Sequence, residues 1–157
     1  MLTASIPDLD LVETYLDSDP HGRVTVAFPI NHFTGAQRST VVYFEVAPGD
    51  YLPTHTDSAE EVLHIIAGEG EVRIGNELGR VQAGDLAVVP ELVPHSIANI
   101  GGKPLKVAGF FGSSEVVSTF EEPRQPMGRR TFKQGELVPA RPHAGPSTVL
   151  RSGEEQP

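Results

Sequence analysis

GDYLPTHTDSAEEVLHIIAGEG, residues Gly49 to Gly70, is the stretch whose reading decides this chain. His55 and Asp57 are two apart, so on an extended backbone they project to the same face. Glu61 has the same parity. Three potential ligands therefore point one way, provided the chain between them stays extended. A second stretch, GDLAVVPELVPHSIAN from Gly84 to Asn99, adds His95. Its Val93-Pro94 step fixes the backbone direction just before that histidine.

Working outward, short apolar runs lie between turn signals. Val24–Phe28, Thr40–Ala47, Val62–Ala67, Glu71–Ile74, Gly79–Gln82, Leu86–Val89, Ser96–Asn99 and Leu105–Phe111 read as strands. Val42, Phe44 and Val46 share one face of the second run. Val62–Ala67 is apolar on both faces and is expected to be covered on both. Turns fall at Pro48-Gly49-Asp50, Gly75-Asn76 and Ala83-Gly84-Asp85. Many short strands with no helical period predict an all-β sandwich or closed barrel.

The two stretches resemble the paired motifs of the cupin superfamily. In the first, Gly49, His55, Asp57, Glu61 and Gly68 stand at the family's spacings. In the second, Gly84, Pro90, Leu92, His95 and Asn99 do. The resemblance implies an antiparallel cupin β-barrel (a jelly roll, or double-stranded β-helix) over residues 23–120. Irregular extensions are expected at 1–22 and 121–157. It also implies one divalent metal ion on His55, Asp57, Glu61 and His95. Two positions depart from the pattern. Leu92 replaces a glycine, which suggests a modest change of loop shape. Asp57 replaces the usual second histidine. The usual set of three histidines and one glutamate carries a net charge of +1 around a divalent ion, whereas this set carries zero. Oxygen donors favour Fe(II) or Mn(II), with Zn(II) possible. Asp57 is shorter than histidine. If it does not ligate, the centre is His55, Glu61 and His95, and Asp57 is left as a general base or as the anchor of a metal-bound water. Asp57 and Glu61 are thus the candidate catalytic residues.

Composition narrows the chemistry further. Cysteine is absent, so disulfides, thiolate metal sites and thiol nucleophiles are excluded. The net charge is -9, unfavourable for nucleic acid. Residues 1–120 carry 16 acids against 6 bases, and residues 121–157 carry 5 against 6. The opening MLTASIPDLDLVETYL has acids where a secretory signal has bases, and a cytoplasmic location is expected. After Phe120 come six prolines and few apolar residues; 139–157 read as mobile. Neither a nucleophile elbow nor a nucleotide-binding glycine loop is evident.

Other residues have ordinary readings beside functional ones. Glu60 is expected at the surface. His64 would share a helix face with Glu61, but on a strand it points away and reads as structural or interfacial. Tyr43, Phe44, Phe110 and Phe111 are candidate pocket walls, with core packing the simpler role. Arg129-Arg130 could cover the barrel mouth. His21 and His32 fall in loops, His143 lies in the tail, and Asn99 reads as structural.

Cupins include dioxygenases, decarboxylases, isomerases, polyketide cyclases and binding modules, and they are often homodimers. The expected function is a metal-dependent enzyme acting on a small molecule. Its preferred form is a dioxygenase-like oxidoreductase with a chelating enol, aromatic or polyketide-like substrate. A metal-dependent cyclase or isomerase, and a non-catalytic ligand-binding module, stay open as alternatives.

Overall fold

A computed structural model describes residues 1–136 and, in backbone alone, Arg151–Ser152. The strands in chain order are β1 (Leu2–Thr3), β2 (Val12–Tyr15), β3 (Arg23–Ile30), β4 (Thr40–Val46), β5 (Tyr51–Asp57), β6 (Glu61–Ala67), β7 (Glu69–Ile74), β8 (Glu77–Gln82), β9 (Leu86–Val89), β10 (His95–Asn99), β11 (Leu105–Phe111), β12 (Val117–Arg124), β13 (Arg129–Lys133) and β14 (Arg151–Ser152). Two six-stranded antiparallel sheets face each other, ordered β13-β12-β5-β10-β7-β8 and β2-β3-β4-β11-β6-β9. β1 pairs with β14. This is the expected cupin β-barrel. The tail at 139–150 and 153–157, with His143, lies outside the described residues.

Strand alternation builds the core. Val42, Phe44 and Val46 of β4 turn inward against Leu63 and Ile65 of β6 and Val107 of β11, all buried. Gly49 and Gly84 hold positive φ at the two repeated turns, where a side chain would be strained.

Two expectations need correction, and a third position shows a particular backbone. β6 is not covered on both faces: Leu63 and Ile65 are buried, but Ile66 is exposed on the outer side. An antiparallel sheet can face water on one side, and this one does. Leu92 occupies the position of the motif glycine in a left-handed conformation. It keeps φ at 60°, in the left-handed region that suits the motif glycine, and donates its N–H to the Asp57 carbonyl at 2.9 Å. The cost falls on the leucine backbone. Finally, the backbone does not run extended from Asp57 to Glu61. It turns through Ser58–Glu60 and changes sheet, because β5 and β6 belong to opposite sheets.

Segments outside the predicted strands also join the sheets. β2 forms one edge of its sheet, and β12 and β13 extend the other sheet past β5. The strand pairs β12–β5 and β12–β13 put Ser118, Phe120 and Phe132 inside the barrel wall.

Candidate metal centre

His55 and His95 are brought together by register. β5 and β10 run antiparallel, and the two histidines are direct cross-strand partners. Their rings lie 4.1 Å apart, centroid to centroid. Asp57 is two residues on from His55 and shares its inward face. Glu61 arrives from the opposite sheet. It points inward because β6 alternates Glu61, Leu63 and Ile65 toward the core. The four side chains therefore meet, although Glu61 does so by the alternation of its own strand. All four are buried.

The same local device aims both imidazoles. His55 Nδ1 lies 2.8 Å from the Pro53 carbonyl, and His95 Nδ1 lies 2.9 Å from the Val93 carbonyl. A carbonyl only accepts, so each Nδ1 carries the hydrogen. Each ring so held turns Nε2 to the interior, the atom whose lone pair metal ligation requires once its proton is lost.

Asp57 sits between them. Its Oδ2 is 3.5 Å from His55 Nε2 and 3.3 Å from His95 Nε2. Glu61 Oε2 is 3.4 Å from His95 Nε2. These contacts are charge pairs rather than aligned hydrogen bonds: Asp57 Oδ2 and His95 Nε2 are buried without a hydrogen-bond partner among the described residues. Two buried acceptors facing each other are unfavourable unless a cation, a proton or a metal ion lies between them. His55, Asp57 and His95 each offer a donor atom within 4.8 Å of the others and could hold a metal ion. So Asp57 reaches both imidazoles despite its short side chain. Glu61 borders that trio through His95.

The electrostatics follow from burial and charge. Burial alone would lower His95, but Asp57 and Glu61 beside it push it up to about 10. Burial also favours a neutral Asp57, yet the two histidines hold its carboxyl well below the usual range. Burial raises Glu61, and the Asp57 charge adds to the rise while His95 opposes it.

Residues beyond the motifs complete the surroundings. Ser118 on β12 donates to Asp57 Oδ1 at 2.6 Å, and Gln134, just after β13, donates Nε2 to Ser118 Oγ at 3.1 Å. Phe120 stacks on His55, with centroids 4.5 Å apart and planes at 17°. None of these three residues was singled out from the sequence. The signal available was the alternation of Ser118 and Phe120, which the acids and proline of EEP obscure.

A cavity of about 630 Å³ opens onto the cluster. Its walls include Val26, Phe28, Phe44, Leu63, Ile97 and Phe120. Among the four aromatic candidates only Phe44 lines it. Tyr43 hydrogen-bonds Glu45, Phe110 is exposed on the outer face, and Phe111 packs in the core. Arg129 contacts Glu136 and Arg130 donates to the Phe120 carbonyl, so both are engaged on β13. His64 lies half-buried on the outer face, His21 contacts Asp50, and Glu60 is exposed. Asn99 is structural. It donates to the Val46 and Lys103 carbonyls and accepts from Gly101 N.

Comparison with known proteins agrees with this fold. The cupin-domain family model matches residues 42–111. An uncharacterized protein of Methanocaldococcus jannaschii is 40% identical over 110 residues, 68% of this chain and 86% of that protein. The chain belongs to the cupin superfamily. The oxalate decarboxylase of Lactobacillus farciminis, in its formate complex, is similar with a TM-score of 0.63 and 23% identity, over 74% of this chain and 34% of that one. The Bacillus subtilis oxalate decarboxylase at pH 4.6 gives 0.57 and 23%, over 65% and 28%. A further structure of that enzyme, concerned with its Mn(II) centers, gives 0.56 and 22%, over 68% and 30%. This chain spans only about a third of those enzymes, and the likeness is one of fold. A divalent metal ion suits the donor set, which joins two imidazoles to hard carboxylate oxygens. No helix among the described residues is long and apolar enough to cross a membrane.

Proposed function

We propose that this chain is a metal-dependent enzyme with dioxygenase-like chemistry, acting on a small, largely apolar molecule with a chelating enol or phenol group. The observation that carries the reading is His95 Nε2 facing Asp57 Oδ2, both buried and without hydrogen-bond partners among the described residues, beside His55 at the wall of an apolar cavity. His55, Asp57 and His95 would hold the ion, with Glu61 beside them. When bound, the ion supplies Lewis-acid polarisation of an enol oxygen and, if redox-active, electrons for reaction with O₂. Fe(II) or Mn(II) fits oxygenase chemistry, and Zn(II) remains an alternative occupant.

The chain's own residues do the rest. Ser118 fixes Asp57 by one oxygen, leaving the other for the cluster. Glu61, whose carboxyl is raised by burial, is placed to give or take the substrate's enol proton. The apolar walls exclude water and orient an apolar ring or chain. The same raised Glu61 favours a second reading, a metal-dependent cyclase or isomerase that only moves protons. We further propose that the chain works in the cytoplasm as a homodimer. The exposed Leu86, Val88 and Phe110, neighbours on the outer face through β6, support a second copy as partner.

The test is metal content by elemental mass spectrometry with Fe(II), Mn(II) and Zn(II) reconstitution, followed by O₂ uptake with catechol and 1,3-diketone probes. His55→Ala and His95→Ala should each lose stoichiometric metal. Full retention in either variant would overturn the ligand assignment. Metal without O₂ uptake, but with proton exchange at the diketone carbon, would favour the isomerase reading.

A further inference from the structure

The cavity has a second pole. Arg124, the last residue of β12, is 1% exposed and lines the same cavity as the histidines. Its Nη1 donates to the Gly22 carbonyl and its Nη2 to Thr14 Oγ1, each at 2.8 Å. Both acceptors are neutral. Among the described residues no carboxylate makes an ion pair with it. Burial pulls it down to about 10, with only Tyr51 acting the other way, so it remains a cation near neutrality. A buried charge without a counter-charge is costly. Clamping two neutral acceptors needs only a neutral donor, so the charge exceeds what the clamp requires.

Position relates it to the metal centre. The guanidinium carbon lies 5.2 Å from the centroid of Phe120, and that ring stacks on His55 at 4.5 Å. One aromatic ring thus separates the two poles. Charge gives the ligand's sign. A divalent ion held by two neutral histidines and the carboxylates Asp57 and Glu61 sums to zero, which leaves Arg124 as the uncompensated charge deep in the cavity. Of the other acids bordering the cavity, Asp10 is exposed and Glu136 is half-buried and bound to Arg129.

We propose that Arg124 is the anion receptor of this cavity, and that the ligand is a small apolar carboxylate. Its carboxylate meets Arg124 while its other end reaches the His55–Asp57–His95 cluster. The charge balance rests on the metal reading above, whereas the receptor itself stands on Arg124 alone.

The test is calorimetric titration of metal-loaded and metal-free full-length protein with acid and amide pairs: benzoate against benzamide, and butyrate against butyramide. In wild type at least one acid should bind about tenfold more tightly than its amide, the expected scale for a charge-assisted pair. Arg124→Met should bring that ratio to about one, and Arg124→Lys should keep part of it. Because Arg124→Met also removes two buried hydrogen bonds that hold the fold, the wild-type ratio is decisive by itself. No acid preference in either pair overturns the proposal, as does an unchanged preference in folded Arg124→Met. If metal fails to load but an Arg124-dependent acid preference persists, the receptor stands and the metal reading falls. If metal loads and no preference appears, the receptor falls and the metal reading stands.

Discussion

Metal binding at this cluster must displace a proton, and the size of that competition can be worked from His95. In the metal-free protein Asp57 and Glu61 raise His95 from 6.5 to about 10, against the effect of burial. Near neutral pH its Nε2 therefore carries a hydrogen, and a metal ion needs that lone pair. Apparent affinity should rise with pH by about tenfold per unit between about pH 7 and about pH 9. At about pH 7 the shortfall is about three units, a factor of about a thousand, or roughly 4 kcal/mol. Glu61, raised as well, can only add to the proton count. The stability of metal-free protein runs the opposite way. A group raised on folding contributes stability that is full below 6.5 and is lost as pH rises through about 10. Zinc titrations in buffers of different ionisation enthalpy measure both the slope and the protons released. A dissociation constant that does not change over that pH range, with no protons released, would refute the reasoning.

Further substitutions probe the supports of the site. Leu92→Gly should stabilise the protein by about 1 kcal/mol in urea denaturation, because it removes left-handed strain from an exposed leucine; a loss of stability would show that the strain is illusory. Gly109→Ala should destabilise by roughly 2 kcal/mol and weaken metal binding, since a Cβ there would collide with Glu61 Oε1 and crowd Val42. Wild-type melting and metal affinity in that variant would mean that Glu61 moves aside freely. Ser118→Ala should weaken metal affinity by about tenfold, the usual cost of losing a partner behind a ligand. Equal affinity would detach Ser118 from the site.

Much of this architecture is readable in the chain because the residues that fix it are apolar and periodic. Leu86–Val89 and Leu105–Phe111 are strands over the predicted ranges, and the inward set Val42, Phe44 and Val46 follows from period two. The two motifs point to the four cluster residues. What the sequence hides is long-range. Parity along the chain gives Glu61 the right direction for the wrong reason, since a turn and a change of sheet intervene. β12 and β13 escape notice because VSTFEEPR and RRTFK contain few apolar residues. Their inward positions include Ser118, Arg124 and, just beyond, Gln134, which are polar because they face the site. A strand that lines a polar pocket loses the alternation by which strands are recognised.

Asp57 shows how a changed motif position is completed from elsewhere in the chain. An aspartate is shorter and carries a charge that the usual histidine lacks, so at this position it needs both placement and compensation. Placement comes from β12: Ser118, the register partner of Asp57, takes one carboxylate oxygen and so directs the other toward both Nε2 atoms. The carboxylate accepts from Ser118, and Ser118 in turn accepts from Gln134 Nε2. That direction of donation fixes the amide, so Gln134 Oε1 is the atom left buried without a partner among the described residues. Compensation comes from the two histidines it faces, which against the effect of burial hold its carboxyl well below the usual range. Ser118 and Gln134 lie in or just after β12 and β13, so the strands least visible in the sequence place Asp57 in the first motif. A histidine at position 57 would lose its acceptor role toward Ser118 and would raise the charge of a cavity that already holds Arg124.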